Sequence, residues 1–253
     1  MADSHVAAYH RELVARLHAV LGDRLVGVYA GGSWALGDYQ PGRSDVDVAA
    51  VTRGRLTRPV KEAIVAAVRH EALHCPARGL ELVAYSDAAA ARPAHADFEL
   101  NLNTGADMEF RADFEPGTET HWFAIDRAIL AAHGIALAGP PPGDVFGPIP
   151  RRVLLDVLRR GIGWWEACDP ASPDAVLNAC RSLRFAAAGR WASKRVAAEW
   201  ALDNGYDPEL VRDALAARTT RRALDPRRVR RFLAAVETRL REQVARDETE
   251  HRR

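Results

Sequence analysis

The chain has 253 residues, 48% hydrophobic and 27% charged, enough to bury one large core or two modest ones. Its 35 basic residues against 34 acidic ones leave a net charge of +1, so no bulk charge argues for nucleic acid or an anionic membrane as partner. Cys75, Cys168 and Cys180 form neither a CxxC pair nor an even disulfide framework, and no stretch reads as a signal peptide or membrane span, so a cytoplasmic protein with no membrane partner is expected.

In chain order, Val6, Tyr9, Leu13, Leu17 and Val20 recur at helical spacing, which predicts a helix over 6–21 ended by Gly22. "LVGVYA" (25–30) is a short apolar run stopped by Gly31 and Gly32, a buried strand. "VDVAAV" (46–51) is a second strand, 59–74 a helix behind it, and "GLELVAY" (79–85) a third strand. Shorter strands and loops follow to about 120, then a helix over 121–133 closed by Gly134. "GPPPGDVFGPIP" (139–150) holds five prolines and three glycines and continues neither kind of element, so the chain divides there into 1–145 and 146–253.

Everything beyond that junction reads as helix. Leu154, Leu158, Ile162 and Trp165 line one face of the first, with Trp164 about a quarter turn away. The second runs from the Ser172-Pro173-Asp174 start to Gly189 and the third over 193–203, with two more over 208–218 and 225–246. The Arg-rich tail interleaves acids with its bases and reads as a solvated helix face. The fold class is α+β: an N-terminal domain with a mixed β-sheet and flanking helices, then an all-α bundle.

The chemistry concentrates in "GGSWALGDYQPGRSDVDVAAV" (31–51). A strand followed by Gly-Ser and a helix start offers N–H groups and a hydroxyl to phosphate oxygens. Asp45 and Asp47, two apart, share a strand face and repel each other unless a cation intervenes. Carboxylates completed by substrate phosphates and water are how proteins hold Mg²⁺, so cradle and carboxylates together describe a nucleoside-triphosphate site.

The pattern G-S-x(3)-G-x(6)-S-D-x-D, here Gly32, Ser33, Gly37, Ser44, Asp45 and Asp47, resembles the signature of the polymerase-β-like nucleotidyltransferases. Nearer still is the likeness to aminoglycoside adenylyltransferases acting on streptomycin and spectinomycin, which extends through "AVLNACRSLRFAAAGRWASKRVAAEWAL" (175–202). The resemblance implies AMP transfer from ATP to a hydroxyl of an aminoglycoside or aminocyclitol, with two Mg²⁺ ions, by a monomer whose active site lies between its domains. Asp45, Asp47 and Glu81 match the metal ligands, with Glu81 also the catalytic base. Gly32, Ser33, Ser44, Asp126, Arg181 and Lys194 match nucleotide-binding positions. Trp164, Asp169 and Asp174 are the acceptor-binding candidates, although an ungapped count puts Trp165 in the place of Trp164. Where the family has a tryptophan after "ELQFGEW"-like residues, "ELNLNTG" places Gly105.

The residues support parts of this independently. An acid inside an apolar strand costs stability unless it has a task or a partner, and Glu81 within reach of a hydroxyl could deprotonate it. Lys194 opens a helix, where a cation opposes the dipole, a placement that makes sense against phosphate. An acidic pocket for a cationic acceptor could draw on Glu81, Glu99, Glu109, Asp169 and Asp174. Two other readings stay open: the same transfer onto a lincosamide, another metabolite, a protein or tRNA, and an inactive nucleotide-binding regulator. His70, His74 and Cys75 have ligand-like spacing, but a lone histidine pair on an exposed helix is rarely a metal site.

Overall fold

The computed structural model describes residues 2–92, 97–117, 121–220 and 222–250. The chain divides into two compact units, Met1–Ile149 and Pro150–Arg253. The first carries helix α1 (Ala2–Leu21), strand β1 (Leu25–Ala30), the short α2 (Gly32–Ala35), β2 (Val46–Thr52), α3 (Arg58–Val68), β3 (Leu80–Ser86) and α4 (Asp87–Ala91). It continues through β4 (Leu100–Gly105), β5 (Met108–Asp113), α5 (His121–His133), β6 (Ile135–Ala138) and α6 (Pro142–Val145).

The six strands form one mixed sheet in the order β5-β4-β3-β2-β1-β6. Only β2 and β3 are parallel neighbours among the described strands, because the chain between them crosses over through α3. Alternation then sorts the side chains. Val28, Val46, Val48, Leu80 and Leu82 bury one face in a core shared with Leu13, Leu17 and Ile64. Tyr29, Ala49, Val51 and Tyr85 bury the other, with Phe123, Leu130 and Phe146.

The predicted helix over 59–74 ends earlier, at Val68, where Arg69 turns extended at ψ 153. Its end is stapled from another helix: the Arg16 guanidinium donates to Ala67 O at 3.0 Å and to Ala72 O at 2.8 Å. His70 and His74 therefore lie in a turn, with ring centroids 4.4 Å apart, and not on a shared helix face. Strand β6 and helices α4 and α6 went unpredicted, all of them short.

The second unit consists of α7 (Arg151–Cys168), α8 (Pro173–Ala188), α9 (Lys194–Asp203), α10 (Pro208–Thr220) and α11 (Pro226–Glu250). Helix α8 is its centre, burying Val176, Leu177, Cys180, Leu183 and Phe185. Its N-cap is Ser172, whose hydroxyl accepts from Asp174 N, and Gly189 closes it in the left-handed region at φ 65. Arg151 binds the far end, donating to Phe185 O at 3.1 Å and to Ala186 O. Among the described residues no helix is long and apolar enough to cross a membrane.

Candidate active site

The Gly-Ser turn is built against β2. Gly31 N donates to Asp47 O at 2.9 Å, and the next residue, Gly32, takes φ +50. A Cβ on Gly32 would lie 1.7 Å from Asp47 Oδ2 and 2.2 Å from its Cγ, so the Asp47 carboxylate is packed onto bare backbone. Both the left-handed conformation and this approach demand glycine. Ser33 follows, and its Oγ is buried with no hydrogen-bond partner among the described residues. An unmet buried hydroxyl costs about 1–3 kcal/mol, which a structural serine has no reason to bear.

Register places the next acid. Asp47 stands opposite Glu81 across the parallel β2–β3 pair, and Glu81 stands opposite Asn103 on β4. Asp47 and Glu81 are both half-buried. Alternation sets Asp47 in line with Ala49 and Val51, on the sheet face toward α5. Two hard oxygen donors so arranged suit Mg²⁺, which takes one or two carboxylates and fills its shell with phosphate and water.

Asp45, the residue before β2, is held differently. Arg78 grips it with both nitrogens of the fork, Nε to Oδ1 at 2.6 Å and Nη2 to Oδ2 at 2.9 Å. Among the described residues, no three His, Cys, Asp or Glu side chains gather as a metal-holding group. Ser44 closes the preceding turn, its Oγ accepting from Gln40 N at 3.0 Å.

The turn rests on an aromatic stack that sequence reading missed. His10 of α1 meets Trp34 edge-on at 5.5 Å, and Trp34 meets Tyr39 at 5.2 Å. His10 is only 4% exposed, and burial lowers its pKa to about 4. No spacing rule ties position 10 to position 34, so the signal exists only in the fold. Asp126 is exposed on α5, beside the buried Arg127, which donates to Ala89 O, Arg92 O and Phe123 O.

Glu99 departs from the expected acidic pocket. It is buried, pairs with Lys61 Nζ at 3.2 Å and accepts from Leu56 N at 3.0 Å, an internal brace with no oxygen to spare for a ligand. Glu109 is exposed on β5.

In the helical unit, Lys194 Nζ pairs with Asp174 Oδ1 at 2.6 Å, so a nucleotide candidate and an acceptor candidate neutralise each other. Arg181 reaches Asn178 Oδ1 at 3.3 Å, while Arg184 is spent on closing the loop after α8, donating to Trp191 O at 3.2 Å. Leu154, Leu158 and Ile162 are buried as their spacing predicts. Trp164 and Trp165 are both half-buried, edge-to-face at 5.0 Å, and Asp169 is exposed at the C-cap of α7.

Known proteins match both halves of this arrangement. Residues 144–239 fit the family described as aminoglycoside adenylyltransferase, C-terminal domain. An aminoglycoside (3'')(9) adenylyltransferase of Shigella flexneri is 27% identical over 225 residues, 82% of this chain and 84% of that protein. Over most of its length the chain is similar to aminoglycoside adenylyltransferases. A Klebsiella pneumoniae protein of the same name is 27% identical over 217 residues, 79% of this chain and 80% of its own. The fold is that of spectinomycin adenyltransferase AAD(9) from Enterococcus faecialis, crystallised with ATP and spectinomycin: TM-score 0.68, 16% identity, 92% of this chain and 98% of that one.

These relatives are named as adenylyltransferases, a class of nucleotidyltransferase enzyme. One departure from the family pattern has a backbone cause. A Cβ on Gly105 would lie 2.4 Å from Arg78 O and 2.5 Å from Gly79 Cα, so a tryptophan cannot stand there on this backbone.

Proposed function

We propose that the protein transfers AMP from ATP·Mg²⁺ to a hydroxyl of an aminoglycoside or aminocyclitol. The observation that carries this reading is the Gly32–Ser33 turn. Its glycine is packed on the Asp47 carboxylate, and its serine presents a buried hydroxyl with no partner among the described residues. A phosphate oxygen is the natural acceptor for that hydroxyl and for the N–H groups that a helix start leaves unpaired.

Each residue then has a task. Ser33 and the turn hold phosphate oxygens, and Asp47 and Glu81, with Asp45, would hold Mg²⁺. That ion neutralises charge on the phosphates and on the departing pyrophosphate. Glu81, in register with Asp47, accepts the proton of the attacking hydroxyl. Arg181 and Lys194 supply positive charge to the triphosphate. The acceptor is a cation, and Trp164 with the carboxylates of Asp169 and Asp174 suits a polyamine ring by stacking and charge.

The test is pyrophosphate release with streptomycin, spectinomycin and kanamycin as acceptors, for wild type and Glu81→Gln. Acceptor-dependent release that falls roughly 10²-fold in the variant, with ATP binding retained, is the expected result. Release without dependence on any of these acceptors, or an undiminished Glu81→Gln rate, refutes it.

A further inference from the structure

The carboxylates of the site are held unequally. Asp47 is seated on the Gly32 backbone and registered with Glu81, whereas Asp45 belongs to Arg78. The Arg78 fork engages both Asp45 oxygens, at 2.6 and 2.9 Å, the strongest form of guanidinium–carboxylate pairing. It is also anchored through its backbone: Arg78 N donates to Ser44 O at 3.4 Å, next door to Asp45. Asp45 lies before the first residue of β2, after a turn with Gly42 at φ +73, so its side chain can reorient without breaking the ladder. Arg78 itself keeps 37% of its side chain exposed, leaving a path for an incoming anion.

We propose that Arg78 is a positioning residue that reserves Asp45 until a nucleotide phosphate takes the guanidinium, so that metal and nucleotide enter as a unit. This rests on the adenylyl-transfer reading above. In the nucleotide-free protein the Arg78 fork supplies the positive charge that offsets Asp45. A triphosphate offers the same fork a more highly charged oxygen pair. Once Arg78 exchanges carboxylate for phosphate, Asp45 joins Asp47 and Glu81 and the third hard ligand is available. The coupling is reciprocal: whatever the phosphate adds to metal affinity, the metal adds to nucleotide affinity.

The test is thermal stabilisation of the full chain by MgCl₂ alone, by ATP with EDTA, and by both. Wild type is expected to respond weakly to Mg²⁺ alone and strongly to the two together. Arg78→Gln is expected to respond to Mg²⁺ without nucleotide, with roughly tenfold tighter apparent affinity than wild type. Adding Asp45→Asn to Arg78→Gln is expected to cancel that gain. If Arg78→Gln folds poorly, Arg78→Lys, which keeps charge but loses the fork, is expected to show a smaller gain in the same direction. Unchanged or weaker Mg²⁺ binding in the Arg78 variants, or full Mg²⁺ affinity in nucleotide-free wild type, overturns this proposal alone. A wild type that ATP and Mg²⁺ together leave unstabilised overturns the nucleotide reading with it.

Discussion

Asp47 cannot shift without disturbing the Gly32 turn packed against it, whereas Lys194 and Asp174 part by rotating two side chains. In the sheet unit, backbone contact and strand register fix Asp47 and its partner Glu81. In the helical unit, Lys194 and Asp174 are held by pairing with each other. Catalysis needs reacting groups held to a fraction of an ångström, and binding of flexible phosphates tolerates more. On the adenylyl-transfer reading, the two units divide along that line.

The largest expected effect tests the rigid half. Gly32→Ala puts a methyl on the Asp47 carboxylate at a left-handed position. Adenylyl transfer is expected to fall roughly 10²-fold or more, the cost of misplacing a reacting group by about 1 Å. Circular dichroism separates this from global unfolding. Activity within a fewfold of wild type would show that the turn is not the rigid element.

Ser33→Ala sharpens the same point. Losing the hydroxyl is expected to weaken ATP binding about tenfold, or about 1.4 kcal/mol. The nucleotide-free protein, relieved of an unmet buried hydroxyl, is expected to be as stable as wild type or up to about 1 kcal/mol more. Calorimetric titration and urea unfolding read the two signs separately, and opposite signs are the signature of a binding group.

His10 gives the sheet unit a pH dependence. Its pKa is 6.5 when solvated and about 4 when folded, so between those values the unfolded chain binds more protons. Stability from the buried neutral ring is present above pH 6.5 and drains away as pH falls toward 4, by about 1.4 kcal/mol per unit of pKa difference. His10→Phe is expected to flatten that slope in thermal melts across the same window. A wild-type slope that survives the substitution assigns it elsewhere.

The smallest effect belongs to the flexible half. A double-mutant cycle of Lys194→Met and Asp174→Asn is expected to give a stability coupling below about 1 kcal/mol that shrinks with salt. A larger, salt-resistant coupling would make the pair structural and erase the contrast between the units.

What was legible in the chain follows the same division. The D-x-D spacing put Asp45 and Asp47 on a common strand face before any coordinates, because strand periodicity is strict, whereas only the fold sets Asp47 opposite Glu81. The caps at Ser172 and Ser193 and the stop at Gly189 were equally plain, since their signals are local. Arg16 ending α3, Arg78 holding Asp45 and His10 supporting Trp34 were not legible. Each joins residues that no local period relates. Strand β6, only "IALA", is too short to show a pattern, and Glu99 looked like pocket acid because nothing in the sequence pairs it with Lys61.

The parallel pairing of β2 with β3 also dictates when the acids can meet. The β4–β5 hairpin can zip as it leaves the ribosome, since its strands are joined by a tight turn. Asp47 and Glu81 must wait for the long excursion through α3 to close, the slow kind of contact in folding. A nascent chain halted between Asp47 and Glu81 has both the turn and the D-x-D motif but lacks the residue that stands opposite Asp47. On the adenylyl-transfer reading such a chain is expected to be inert however much ATP surrounds it.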